Sequence, residues 1–183
     1  LWRPEIRRFA LYAIHYSFVV YGANAIVALF ANEGLGGSLV LVGDGAALGG
    51  LGMLTGGLAA TLAGRRLTIW RQAQWTAAIT TVVLLLMAFL TTLDNVLYVM
   101  ALWGVCLSAT ELIFITLAMR KADPHMAAGG FAIFMAISNV GTGLGQATTT
   151  SLIDTLDFRW LFGLLAVVNL LAFPVLRGVK RET

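Results

Sequence analysis

Six stretches of this chain are almost free of charge. Residues 9–32, 72–93 and 126–153 contain no Asp, Glu, Lys or Arg, 38–64 contains only Asp44, and 95–119 only Glu111. The sixth, 158–177, has Arg159 and Arg177 at its ends and no charge between them. Each is close to or beyond the roughly 20 apolar residues that carry a helix across a bilayer. In hydrocarbon every backbone N–H and C=O must be satisfied within the segment, which selects helices. The expected fold is all-α: one polytopic membrane domain over residues 1–183, built of six transmembrane helices.

The composition agrees. Hydrophobic types make up 59% of the 183 residues and charged types 11%, against about 25% charged in a soluble domain. Disorder, a nucleic-acid module and an ordinary soluble enzyme are excluded. A single cysteine, Cys106, precludes an internal disulfide. Two histidines, His15 and His125, with no second cysteine and no G-x-S-x-G turn, leave no enzyme, metal or cofactor signature. The first stretch exceeds the 7–15 apolar residues of a cleavable signal, and more spans follow.

The cations set an orientation. Eleven of the twelve Lys and Arg fall in the N-terminal arm (Arg3, Arg7, Arg8), the second joint (Arg65, Arg66, Arg71), the fourth joint (Arg120, Lys121) and the tail (Arg177, Lys180, Arg181). Six crossings put all of these on one side. The other side holds Glu33, Asp94, Asp154, Asp157 and only Arg159. The positive-inside rule then expects both termini in the cytoplasm, in a plasma membrane of bacterial type. Pro4 suits a helix start and Pro124 a break in the fourth joint.

The spans differ. The third and sixth are plain, apart from threonines and Asn169. The first, second, fourth and fifth carry His15, Asn24, Asp44, Glu111, Asn139 and Gln146. Polar groups at membrane depth are costly unless they face protein or a wet cavity. Four helices are therefore expected around something polar, with two bracing them. The second and fifth are also rich in glycine, with small-xxx-small spacings at Gly45/Gly49, Gly52/Gly56 and Gly141/Gly145 that allow close helix approach. Packing within this unit and packing against a second membrane unit both fit.

The joint after the second span reads Gly57-Leu58-Ala59-Ala60-Thr61-Leu62-Ala63-Gly64-Arg65-Arg66. It resembles the G-x-x-x-D-R-x-G-R-R loop of the major facilitator superfamily, with Gly57, Gly64, Arg65 and Arg66 matching. Thr61 replaces the acid and Leu62 the first arginine. The run from Gly130 to Gln146 with Leu152-Ile153-Asp154 resembles that family's eleventh helix, and Phe158-Arg159-Trp160-Leu161-Phe162 the start of its twelfth. The resemblance implies a major-facilitator-like C-terminal half. Its first, second, fourth and fifth spans line a cavity, its third and sixth lie outside, and its second and fifth meet the other half. It also implies three partners: the lipid bilayer, a small solute, and a second six-helix half in the same polypeptide, another chain or a homodimer mate.

Candidate solute- or proton-binding residues are Glu111, Asp44, His15, Asn139, Thr142 and Gln146. At ~1.5 Å rise per residue, Glu111 lies roughly 12 Å from the cytoplasmic end of its span. His15 stands at a comparable depth, where the two can pair. Asp44 is shallow from the opposite side, with Gln146 at a similar level, and Asn139 is near mid-membrane. Asn139, Thr142, Gln146 and Thr149 share one helix face. Tyr12, His15 and Tyr16 form one face of the first span, and Ser17, Tyr21 and Asn24 nearly the opposite one. Each polar residue also has a plain structural alternative, as an anchor between helices. The leading expectation is half of a secondary transporter working by alternating access, with possible proton coupling through Glu111. A non-transporting assembly or structural subunit, or the substrate-binding subunit of a larger transporter, stays open.

Overall fold

The computed structural model describes residues 4–122 and 127–180. Pro124 and His125 lie outside the described residues. Seven helices follow in order: α1 Pro4–Leu29, α2 Leu39–Ala63, α3 Ile69–Phe89, α4 Val96–Lys121, α5 Ala127–Leu152, α6 Phe158–Asn169 and α7 Ala172–Lys180. A π-helical turn, Phe30–Gly34, extends α1, closed by the Leu35 N–H donating to the Phe30 carbonyl at 2.9 Å. With α6 and α7 taken as one crossing, six spans are long and apolar enough to cross a membrane.

Local chemistry fixes the helix ends. Ser38, Thr68 and Asp157 are N-caps whose side chains accept the Leu41, Arg71 and Arg159 N–H groups, which satisfies donors that the first turn leaves orphaned. Thr68 starts α3 three residues before the expected boundary, so Arg71 lies in its first turn. Asn95 pins the α3–α4 turn, accepting from the Thr92 N–H at 2.8 Å and donating to the Leu90 carbonyl at 2.9 Å.

The sixth span is not one helix. It breaks at Leu170–Leu171, where short i→i−3 bonds replace the regular ladder. Pro174 explains this: it has no N–H for the Leu170 carbonyl, and its ring crowds that oxygen. Phe173 donates to Leu170 instead. Asn169, the last residue of α6, donates to the Ala77 carbonyl and to Thr81 Oγ1, both at 3.0 Å, tying the break to α3.

The layout follows from which helices touch. Helix α2 packs chiefly on α4, and α5 on α1. Helices α3, α6 and α7 pack together and brace α4 and α1 from behind. Side chains on the outer faces of α3 and α6, such as Ile79, Val82, Phe89, Leu164 and Val167, are exposed and apolar, as a lipid-facing surface is. The two tight seams are made by glycine. A Cβ at Gly56 would stand 2.8 Å from Val105 Cα, and one at Gly141 the same distance from Ile14 Cα. Gly52, Gly104 and Gly145 are equally closed by the backbone of the facing helix, and Gly45 by the Met100 side chain. The small-xxx-small pairs are thus occupied inside this bundle. Gly43, Gly50 and Gly143 meet nothing within 4 Å and form a second, open set on α2 and α5.

The basic ends collect. Arg8 Nη1 donates to the Gly178 carbonyl, joining the start of α1 to α7. Arg65 and Arg66 share a cleft with Arg120. Arg159, the exception in the charge pattern, has a structural task. It donates to the Ala88 carbonyl at 3.2 Å and the Thr91 carbonyl at 2.8 Å, and lies over the Phe30 ring. It thereby caps the C-terminal end of α3, where carbonyls lack partners and the helix dipole favours a cation.

Candidate functional site

The site is built where α1, α4 and α5 meet. Phe9, Tyr16, Phe114 and Phe134 interlock there, with Tyr16 and Phe114 centroids 4.4 Å apart and Phe9 edge-on to Phe134 at 4.7 Å. These rings fix the position of the Tyr16 hydroxyl. Phe114 lies three residues after Glu111, so the ring contact brings that hydroxyl level with the carboxyl one turn away.

The Tyr16 and Tyr21 hydroxyls both donate to Glu111 Oε2, each at 3.0 Å. Tyr16 also lies 3.3 Å from Ser138 Oγ, and Ser138 Oγ lies 2.8 Å from Ser17 Oγ. One hydrogen-bonded group therefore joins α4 (Glu111), α1 (Tyr16, Ser17, Tyr21) and α5 (Ser138). Tyr16, Ser17 and Ser138 are buried, while Tyr21 and Glu111 are half-buried. Both bonds reach Oε2, and among the described residues no hydrogen bond reaches Oε1.

Beside this group is a hollow of about 300 Å3 between α1, α2 and α4. Asn24, Gly49, Met53, Trp103 and Leu107 line it, and Trp103 Nε1 donates to Asn24 Oδ1 at 3.1 Å. Leu107, the last α4 residue in its wall, is one turn from Glu111 on the same face of α4. Asn24 is exposed.

The structure treats the sequence candidates unequally. Glu111 is at the centre of the cluster. His15 does not pair with it: its ring lies against the main chain of Asn169, at the α6–α7 break, and its Nε2 is buried without a hydrogen-bond partner. The depth is right, since Tyr16 is the next residue. The azimuth differs, because one residue turns a helix by about 100°. Asp44 is exposed near the start of α2. Ala46 and Gly50 line the hollow, and about 200° of helix rotation separates Asp44 from Ala46, which places it nearly opposite. Asp44 does not join the site.

The α5 stripe divides. Thr149 is buried and donates to the Gly22 carbonyl at 3.0 Å, sealing the α1–α5 seam. Thr142 is half-buried, and Asn139 and Gln146 are exposed. No hydrogen bond joins these three to Glu111; Ser138 is the α5 residue in the group. Nor do Tyr16 and Tyr21 serve opposite faces of α1, since a carboxylate from α4 reaches between them and takes both. Of the loop residues, Gly57 faces Ser108 across the α2–α4 seam, while Gly64, Arg65 and Arg66 line the cleft below the joint.

Tyr16, Tyr21 and Ser138 were not among the sequence candidates. The available signal is two tyrosines five residues apart on a span at the depth of a carboxylate on another. No known protein-family profile matches the chain, and a search of curated proteins finds no similar sequence.

Proposed function

We propose that the chain is one six-helix half of a secondary transporter of the major facilitator type, which moves a small solute by alternating access. The observation that carries this is the Glu111 cluster: a half-buried carboxyl within an apolar span, one helical turn from the wall of a hollow that Asn24 also lines. Intramembrane acids mark solute and proton pathways more often than lipid-facing positions. Glu111 has the parts of a proton-coupled site. As a carboxylate it accepts both phenols; as an acid it gains an O–H donor and keeps less acceptor capacity. Protonation therefore changes which bonds hold α1 to α4. Rocking of two halves around a midplane site is the general mechanism of such carriers. In this reading the exposed faces of α2 and α5, with Gly43 and Gly143, meet the second half, and the arginine-rich ends with both termini lie in the cytoplasm.

The chain, with whatever half copurifies, is reconstituted in liposomes, and proton-driven currents are recorded against a panel of small solutes. Glu111→Gln is expected to abolish the proton-driven current for the solute that responds. An unchanged current in that variant refutes the coupling, and no current with any solute counts against transport itself.

One observation favours a second reading, a non-transporting membrane subunit. Both hydrogen bonds to Glu111 among the described residues cross the α1–α4 seam, as those of an anchor do. An anchor predicts that Glu111→Gln lowers stability by about 1–3 kcal/mol. A transport role predicts that function is lost in a variant that stays folded.

A further inference from the structure

Below the α2–α3 joint, at the end of the bundle where the cations collect, lies an open cleft of about 810 Å3. It is walled by the end of α2, the joint, the first turn of α3 and the last turns of α4. Three guanidiniums line it: Arg65 and Arg66 from the joint and Arg120 from α4. Among the described residues none of the three makes a side-chain hydrogen bond or an ion pair. Three other polar side chains in the wall donate to nearby carbonyls. Thr61 donates to the Gly57 carbonyl, Gln72 to Leu67 and Thr116 to Leu112. The uncommitted charged donors of the cleft are therefore the three guanidiniums, with the Trp70 indole N–H as a neutral donor beside them.

Like charges around one space disfavour one another, and an anion between them reverses the sign. The guanidinium fork matches the oxygens of a phosphate and binds them in pairs. The first turn of α3, at Ile69 and Trp70, lies in the same wall and adds the positive end of its dipole. The space is far larger than a bare phosphate. Leu67, Ile69 and Trp70 give it an apolar side at the end of the spans, where a headgroup meets its acyl chains.

We propose that this cleft binds a phosphate-bearing anion, held by Arg65, Arg66 and Arg120. An anionic phospholipid of the adjacent leaflet and a soluble phosphate ester share this chemistry. The site does not depend on the transport reading.

Cys106 supplies the assay. It is the chain's single cysteine and is buried, so a thiol-reactive fluorogenic dye reports unfolding. The chain in a neutral detergent is titrated with dioleoyl-phosphatidylglycerol, with dioleoyl-phosphatidylcholine, and with glycerol 3-phosphate. A saturable rise in unfolding temperature is expected with the first or the last, and little with phosphatidylcholine. R65Q/R120Q is expected to weaken that anion at least tenfold. R7Q/R177Q removes the same charge from exposed positions outside the cleft and is expected to leave it unchanged. A shift with phosphatidylglycerol alone assigns the lipid; an equal shift with glycerol 3-phosphate assigns a soluble ester. If both double variants weaken binding equally, or if no anion gives a saturable shift, the proposal is overturned. Should R65Q/R120Q unfold, R65K/R120K keeps the charge without the fork, and wild-type binding there overturns the fork-matched site.

Discussion

The α1–α5 seam gives the sharpest stability test, because two glycines one residue beyond neighbours on α5 predict opposite signs. A Cβ at Gly145 would stand 2.8 Å from Phe18 Cα and 2.9 Å from its carbonyl carbon, with the carbonyl oxygen nearer still. All of these are backbone atoms, which do not rotate away. Helix α5 must retreat by roughly 1 Å, a gap that forfeits a quarter to a half of each dispersion contact along the seam. Overpacking of this kind costs about 1–3 kcal/mol. The same substitution gains about 0.5–1 kcal/mol from lost glycine freedom, so Gly145→Ala is expected to destabilise by up to about 2.5 kcal/mol. At Gly143 a Cβ meets nothing within 4 Å, so only the gain remains. Unfolding in mixed micelles with rising dodecyl sulfate, read by circular dichroism, measures both. Equal stability of the two variants would refute the seam.

Two further perturbations follow. Arg159→Gln removes charged donors from the Ala88 and Thr91 carbonyls and is expected to cost about 1–3 kcal/mol in the same assay; a change within error would show that α3 needs no cap. Pro174→Ala restores an N–H for the Leu170 carbonyl, so α6 and α7 should merge. Spin labels at Leu164 and Arg177 should then approach the ~20 Å of thirteen residues in a straight helix, and an unchanged distance would mean that Asn169 and the packing impose the break.

How much of this is legible in the sequence depends on which force sets each feature. The six crossings are legible, because desolvation acts on composition and leaves few charges inside a span. Depth is legible too: 1.5 Å per residue puts residues 15 and 16 level with Glu111. Azimuth between helices is not. It depends on how the glycine seams rotate α1 against α5 and α2 against α4, and no local pattern encodes that. This is why His15 was expected beside Glu111 while Tyr16 and Tyr21 are there. Asp44 fails for the same reason, since its charge and depth say nothing about which way α2 turns. The α6–α7 break was in view at Pro174. An apolar window reads through a proline, whereas the hydrogen-bond ladder does not.

The central claim is that a water-reachable hollow beside Glu111 lies between α1, α2 and α4, while the outer faces of α3 and α6 lie in lipid. It is tested most directly by single cysteines in a Cys106→Ala background, labelled in membranes with a water-soluble, charged thiol reagent. Cysteines at Asn24, Ala46 and Gly50 are expected to react, and cysteines at Ile79, Val82 and Val167 to stay unmodified. Protection of the first three to the same degree as the last three would contradict the account.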